Sequence, residues 1–230
     1  MRNILVIGGS SSIGDSIEKL FVENGDNVFS TYHSSLPKNA NDRVTSINLD
    51  ITSRDASSSL IEIFDKKGKV DALIILAGIL PGKSIEEYSN DKIEEVINTN
   101  FTSHIHLIKT LTPYLNIDSN IIIMSSISGI RGSFDPVYAA TKAALIGLVK
   151  SLALWNKDKY KINAVAPSLI EESSMFFGMS KKRRDFHKNN SPSKKLISKS
   201  QISKIIFNIC ESDSKYCNGE IIEINGGTSF

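Results

Sequence analysis

Seven short apolar runs constrain the fold more tightly than any other feature of the chain: NILVIG (3–8), NVFSTY (27–32), VTSINL (44–49), DALIIL (71–76), NIIIMS (120–125), KINAVA (161–166) and EIIEI (220–224). Most are nearly continuous rather than alternating, the pattern of strands covered on both faces. Between them lie segments of helical spacing, clearest over 14–24, 54–67, 90–115, 137–156 and 199–211. In the second of these, Ala56, Leu60, Ile61 and Phe64 mark one inner face. Strand and helix in alternation predict an α/β fold, a doubly wound parallel sheet of about seven strands with right-handed crossovers and helices on both faces. No internal repeat, linker or composition break interrupts the chain, so one domain over 1–230 is expected. In such a sheet ligands bind beyond the carboxyl ends of the strands, where strand order reverses. Chemical motifs should therefore follow strands.

Composition sets several classes of protein aside. Hydrophobic residues make up 40% and charged residues 23% of the 230, the balance of a soluble globular domain. Glycine interrupts the opening MRNILVIGGSSS too early for a signal-peptide core, and no run approaches the ~18 apolar residues of a membrane span. A cytoplasmic protein with no membrane association is expected. Cys210 and Cys217 make no disulfide scaffold, and no Cys/His cluster has zinc-ligand spacing, so no metal is expected. The net charge of +2 is unevenly placed: residues 181–195 carry seven Lys/Arg against one acid, Asp185, and the remainder holds 20 basic and 24 acidic residues. One basic segment on a mildly acidic body does not suit a nucleic-acid binder.

Two stretches carry chemistry. The first strand runs straight into GGSSSIG (8–14), after which a helical pattern opens. Glycines there permit a tight turn and close backbone approach, and the helix N-terminus presents free N–H groups to a phosphate. In PVYAATKAALIG (136–147), Tyr138 and Lys142 stand four apart on one helix face. A neighbouring ammonium favours loss of the phenolic proton, whose ordinary pKa is ~10. The same spacing also suits a tyrosine packed in a core beside a lysine that reaches to water.

Together these stretches resemble the short-chain dehydrogenase/reductase family, Rossmann-fold enzymes using NAD or NADP, and within it the 3-oxoacyl-(acyl-carrier-protein) reductases. Gly8 and Gly14 match the family's T-G-x-x-x-G-x-G turn, with Ile7 at its threonine and Ser12 at its middle glycine. The resemblance implies cofactor contacts from Gly8, Ser10, Ser11, Ser12, Ile13 and Gly14. The second strand ends STYHSSLPK, without the acid that holds the ribose hydroxyls of NAD. Tyr32, His33 and Ser34, with Lys38 beyond, thus imply NADP over NAD. Asp50 and Ile51, in LDIT, match the adenine contact. Where the family writes N-N-A-G this chain has Ile75, Leu76, Ala77 and Gly78, which keeps close approach at Ala77 and Gly78 and loses two amides.

The resemblance also implies a catalytic set of Asn100, Ser126, Tyr138 and Lys142, with Ser125 the runner-up to Ser126 and Asn98 rejected on register. Tyr138 would be the general acid or base, and Ser126 would hydrogen-bond the substrate oxygen. Lys142 would lower the tyrosine's pKa and hold the nicotinamide ribose, while Asn100 anchors a water in a proton relay. INAVAPSLIEESSM (162–175) follows N-x-V-x-P-G-x-I-x-T, placing Pro167 and Ile170 at the cofactor, Ser168 at the glycine and Glu172 at the threonine. Ser173 or Ser174 is left to provide the missing hydroxyl. YCNGEIIEINGG (216–227) resembles the closing strand, so the likeness covers essentially the whole chain. It implies a homotetramer or homodimer through the helices at 90–115 and 137–156, where Ala139, Ala140, Ala143, Ala144 and Gly147 allow close approach.

Residues 168–198 take the place of a substrate lid. Substrate contacts are expected from Ser126, Ile127, Ser128, Phe176 and Phe177, with Met175 and Met179 extending the apolar wall. Lys181–Arg184 would draw in an anionic substrate, such as an acyl group on acyl carrier protein, a nucleotide-activated sugar or another acidic ketone. A solvated charged face accounts for the same cluster equally well. His104 and His106 share no helix face; with Trp155, Cys210 and His187 they are expected to be packing or surface residues. The function expected is NADP-dependent hydride transfer between nicotinamide and a carbonyl or secondary alcohol. The alternative is a dinucleotide-binding regulatory or scaffold protein without turnover, to which the departures at Ser12, Ile75, Leu76, Ser168 and Glu172 point.

Overall fold

The computed structural model describes residues 1–35, 41–53, 55–156, 159–211 and 216–228, so Lys38 lies outside the described residues. The strands are β1 (Asn3–Ile7), β2 (Asn27–Tyr32), β3 (Val44–Asn48), β4 (Val70–Ile75), β5 (Leu115–Met124), β6 (Tyr160–Pro167), β7 (Ile170–Glu171), β8 (Ile197–Ser198) and β9 (Ile221–Ile224). All seven apolar runs become strands of one parallel sheet, ordered β3-β2-β1-β4-β5-β6-β9. Strand order reverses between β1 and β4, where Leu5 pairs with Leu73 and Ile7 with Ile75. The crevice beyond their carboxyl ends is where a doubly wound sheet binds its ligand.

The helices are α1 (Ser12–Glu23), α2 (Ala56–Lys67), α3 (Asn90–Ile97), α4 (Ser103–Leu111), α5 (Ser128–Arg131), α6 (Pro136–Trp155), α7 (Ser174–Gly178), α8 (Lys181–Asn190) and α9 (Lys199–Cys210). Alternation along each strand divides the core in two. Leu5, Ile7, Leu73 and Ile121 pack with Leu60 and Phe64 of α2, Leu107 of α4 and Leu145 of α6. Ile4, Val6, Ile74 and Ile122 face the other way, onto Ile17 and Phe21 of α1 and Ile202 and Ile206 of α9. Each such side chain, fully buried, contributes ~1.5–3 kcal/mol, which makes the sheet the rigid platform for the loops above it.

Two expectations change in detail. The 90–115 segment is not one helix: a π-helical turn, Asn98–Thr102, separates α3 from α4, and a 3-10 turn, Thr112–Tyr114, ends it at Pro113. Proline lacks the N–H that would continue an α-helix, and a π turn adds a residue that re-aims one side chain. That side chain is Asn100, fully buried. In the lid, Ile170 pairs with Ile197 and Glu171 with Ser198, so β7 and β8 clasp the segment at its base and enclose α7 and α8. Among the described residues, α6 is the helix long and apolar enough by length and composition to cross a membrane.

Candidate active site

The glycine turn is built by hydrogen bonds to its own backbone. Gly8 has φ 85°, and its N–H donates to the Thr31 hydroxyl at 2.9 Å. The Ser11 hydroxyl donates to the Gly8 carbonyl at 2.9 Å and accepts from Gly14 N–H at 3.0 Å, capping α1. A Cβ at Gly14 would overlap the Gly9 carbonyl, so the helix start packs directly on the turn. A cavity of about 770 Å³ opens here, lined by Gly8, Ser10, Ser11, Ile13 and Ser34, and passes Leu76, Ala77 and Gly78 to reach Ser126, Tyr138, Lys142, Pro167 and Ile170. A tight turn, the free N–H groups of a 12-residue helix and a long cleft fit the phosphates and nicotinamide of a dinucleotide.

Several residues expected at the cofactor are not among those that line this cavity. The Ser12 hydroxyl donates to the Glu172 carbonyl at 3.0 Å, binding the turn to the lid rather than lining the cavity. Tyr32, His33, Asp50 and Ile51 lie off the cavity wall, at the carboxyl ends of β2 and β3. Asp50 accepts from the Thr52 hydroxyl at 2.7 Å and Thr52 N–H at 2.9 Å, and these bonds hold its carboxyl below the usual carboxylate range. Glu172, at the family's threonine, has φ 59° and pairs with Lys199 at 3.2 Å, which carries its charge outward. Ser173 donates to the Ile170 carbonyl at 2.8 Å and caps α7, and both Ser173 and Ser174 line the cavity.

Past the switch point, the four residues of the expected catalytic set converge. Lys142 is buried, and its Nζ donates to the Met124 carbonyl at 2.7 Å. Burial lowers its pKa to about 8. Tyr138 is buried and hydrogen-bonded to the Ser126 side chain. Burial pushes its hydroxyl up to about 12; the Ser126 bond acts in the opposite sense and the Asp135 charge adds to the rise. The Lys142 ammonium lies 5.7 Å from the ring centre with its Nζ bonded to the Met124 carbonyl, and burial rather than this cation sets the direction of the tyrosine's shift. The Ser125 hydroxyl donates to the Lys142 carbonyl at 2.9 Å, fixing α6 to β5, which leaves Ser126 as the serine beside Tyr138.

Asn100 works through its amide. Its Oδ1 accepts from Ile79 N–H at 2.8 Å, and its Nδ2 donates to the Ile79 carbonyl at 2.9 Å and the Thr141 hydroxyl at 3.2 Å. The loop after β4, which has Ile75 and Leu76 in place of amides, is braced from the π turn instead. A Cβ on Gly78 would sit 3.3 Å from both Asn100 Oδ1 and Lys142 Nζ, so only glycine leaves that space open.

Phe176 and Phe177 correct another expectation. On the short α7, Met175 faces the cavity with Met179 one turn on, which puts the phenylalanines on the opposite side. Phe177 is 66% exposed, and Phe176 lies under Arg184, 4.8 Å from its guanidinium. The apolar wall comes instead from Leu80, Phe134, Phe186 and Leu196, with Ile127 and Ser128 beside them. Sequence reasoning also passed over Asp135, buried in the wall at the N-terminus of α6. An Asp-Pro pair ahead of a helical pattern is a helix-start signal, and it was there to be read. His104 is fully buried, its imidazole pushed down to about 3 by burial and the Lys142 charge. Among the described residues no group of three or more His, Cys, Asp or Glu is placed to hold a metal ion.

A glycine turn on a switch-point crevice, continuous with a buried Ser–Tyr–Lys group, defines a dinucleotide-dependent oxidoreductase. A family profile described as enoyl-(acyl carrier protein) reductase matches residues 8–229, and the chain belongs to this family, the short-chain dehydrogenases/reductases. The 3-oxoacyl-(acyl-carrier-protein) reductase FabG of Thermotoga maritima is 29% identical over 239 residues, spanning 97% of this chain and 96% of that protein. The 3-oxoacyl-(acyl-carrier-protein) reductase MabA of Mycobacterium bovis is 26% identical over 232 residues, spanning 98% of this chain and 92% of that protein. Among solved structures, a short-chain dehydrogenase/reductase, glucose/ribitol dehydrogenase, from Brucella melitensis superposes with a TM-score of 0.92 at 28% identity, covering 100% of this chain and 97% of that one. The protein is an NAD(P)-dependent oxidoreductase similar to 3-oxoacyl-(acyl-carrier-protein) reductases.

Proposed function

We propose that the protein is an NADP-dependent reductase of an anionic ketone, with a carrier-linked 3-oxoacyl group as the leading substrate. The observation that carries this is the Ser126–Tyr138 pair beside Lys142 on the wall of the same cavity that the glycine turn opens. The bound nicotinamide supplies the hydride. Tyr138, protonated until about pH 12, donates its proton to the carbonyl oxygen as charge develops there. Ser126 directs a hydrogen bond at the same oxygen. Lys142 would hold the nicotinamide ribose, and Asn100 keeps the Gly78–Ile79 backbone in place beside Lys142. The absence of an acid at the end of β2, with Ser34 and Ser35 on the cavity wall, supports a 2′-phosphate and hence NADP. The exposed side of α6, with Ala140, Ala143, Gly147, Leu154 and Trp155, is the face we assign to a second copy of the chain.

Fluorescence titration with NADPH and with NADH, followed by turnover of acetoacetyl-N-acetylcysteamine, tests this reading. NADPH is expected to bind at least about tenfold tighter, a difference of ~1.4 kcal/mol. Tyr138→Phe should lose ~10²–10⁴-fold in kcat and keep NADPH affinity. Tighter NADH would overturn the NADP assignment, and full turnover by Tyr138→Phe would overturn the assigned acid.

A further inference from the structure

The basic segment of the lid does not act as one surface. Lys181 pairs with Asp185 at 2.7 Å with its side chain 83% exposed, and Lys182 is exposed. Arg184 lies over Phe176, away from the cavity. Arg183 alone of the four lines the cavity, and His187, one turn along α8, lines it as well. Arg131, at the end of α5, lines the same cavity.

We propose that Arg131, Arg183 and His187 form an anion subsite at the substrate end of the cavity, receiving a carboxylate or phosphate carried by the ketone. The Arg183 guanidinium is held over the Phe134 ring, 4.5 Å from its centre, and a Cβ on Gly82 would sit 3.7 Å from its Nη1. A stacked guanidinium is already oriented, so less freedom is lost when it binds. Two arginines that both stand beside His187 suit the forked geometry of an oxyanion. His187 stands beside both; burial and the two arginines keep its imidazole below its usual pKa, so it contributes a hydrogen bond rather than charge. Of the acids nearby, Asp185 is paired with Lys181, and Asp135 on the cavity wall accepts from Tyr88, Gly82, Lys83 and Tyr138. Glu223 faces Arg131 from β9 while accepting from the Asn225 amide, so an incoming anion competes with it for that guanidinium. The subsite lines the same cavity as Ser126 and Tyr138, so the anion is placed on the substrate. This assignment rests on the reductase reading for the meaning of that cavity.

Calorimetric titration of the protein, with and without NADPH, tests the subsite through two matched pairs: pantetheine 4′-phosphate against pantetheine, and succinate against succinamide. At least one anion is expected to bind about tenfold or more tightly than its neutral counterpart, the scale of a charge-assisted hydrogen bond. A preference confined to the phosphate pair assigns the anion to a carrier's prosthetic arm; one confined to succinate assigns it to a small keto acid. The preference should vanish in the Arg131→Gln/Arg183→Gln double variant, shrink in Arg183→Lys, which keeps the charge and loses the fork, and persist in Lys182→Gln. Should the double variant fail to fold, Arg183→Gln alone decides. No preference for either anion, or one that survives both arginine changes, overturns the subsite. Turnover of the neutral thioester is scored separately: turnover without an anion preference removes the subsite alone, and an anion preference without turnover removes the reductase reading alone.

Discussion

Asp135 accepts from Tyr138 N–H at 2.9 Å, the Tyr88 hydroxyl at 2.8 Å, Gly82 N–H at 2.8 Å and Lys83 N–H at 3.3 Å. One carboxylate thus fixes the start of α6, the loop over the cavity and the orientation of Tyr138. Asp135→Asn keeps a good helix cap but turns one acceptor oxygen into a donor facing other donors. We expect a loss of ~1–3 kcal/mol, read from thermal unfolding, together with a lower reductive kcat. Removing the charge also lowers the tyrosine's pKa, so the pH profile for alcohol oxidation should move toward lower pH in this variant. In the unaltered protein the two directions should diverge with pH. Oxidation needs the phenolate, whose pKa is about 12, and should climb through the whole accessible alkaline range. Reduction uses the protonated phenol, so it should decline only as Lys142 loses its charge above about pH 8. A reductive kcat/KM that already falls well below pH 8, or an oxidative one that levels off near neutral pH, would refute this. The Tyr138–Lys142 pair was legible from its spacing; their proton affinities were not, because desolvation depends on what covers a group, and no local pattern encodes that.

At the scale of elements, the glycine turn and the lid share one bond through Ser12, the residue that looked like a flaw in the cofactor loop. Ser12→Gly restores the family's glycine and removes that hydrogen bond, with a cost of ~0.5–1.5 kcal/mol. Backbone amides at 172–190 should then exchange about threefold to tenfold faster, while those of β1 and β4 stay protected. Equal exchange in both proteins would make the bond incidental. The register of α7 could not be read from the sequence. Three consecutive apolar side chains between Ser174 and Gly178 leave no charged face to mark the outside, so Met175 and Phe176 were indistinguishable until the clasp at Ile170–Ile197 set the helix's orientation. The π turn is illegible for a related reason, since its extra residue leaves helical periodicity almost unchanged.

At the scale of the whole molecule the alternation of apolar runs was enough, because every inner strand of a two-sided parallel sheet must be apolar on both faces and cannot be confused with a surface element. What that pattern omits is the outside. Leu154 is 70% and Trp155 77% exposed at the end of α6, Ile97 is 41% exposed at the end of α3, and Ala140, Ala143 and Gly147 continue the stripe along α6. Sedimentation should find a dimer or tetramer, and Gly147→Arg should shift it toward monomer with the fold intact. A monomer at micromolar concentration in the unaltered protein would refute this.

The pairing of β7 with β8 brings the two ends of residues 170–198 together at one edge of the crevice. Everything between leaves and rejoins the scaffold at a single doorway, so the segment behaves as a cassette. Its length, charge and shape can be exchanged by insertion or splicing without altering a pairing in the main sheet, and an enzyme of this design can acquire a new substrate while inheriting its chemistry unchanged.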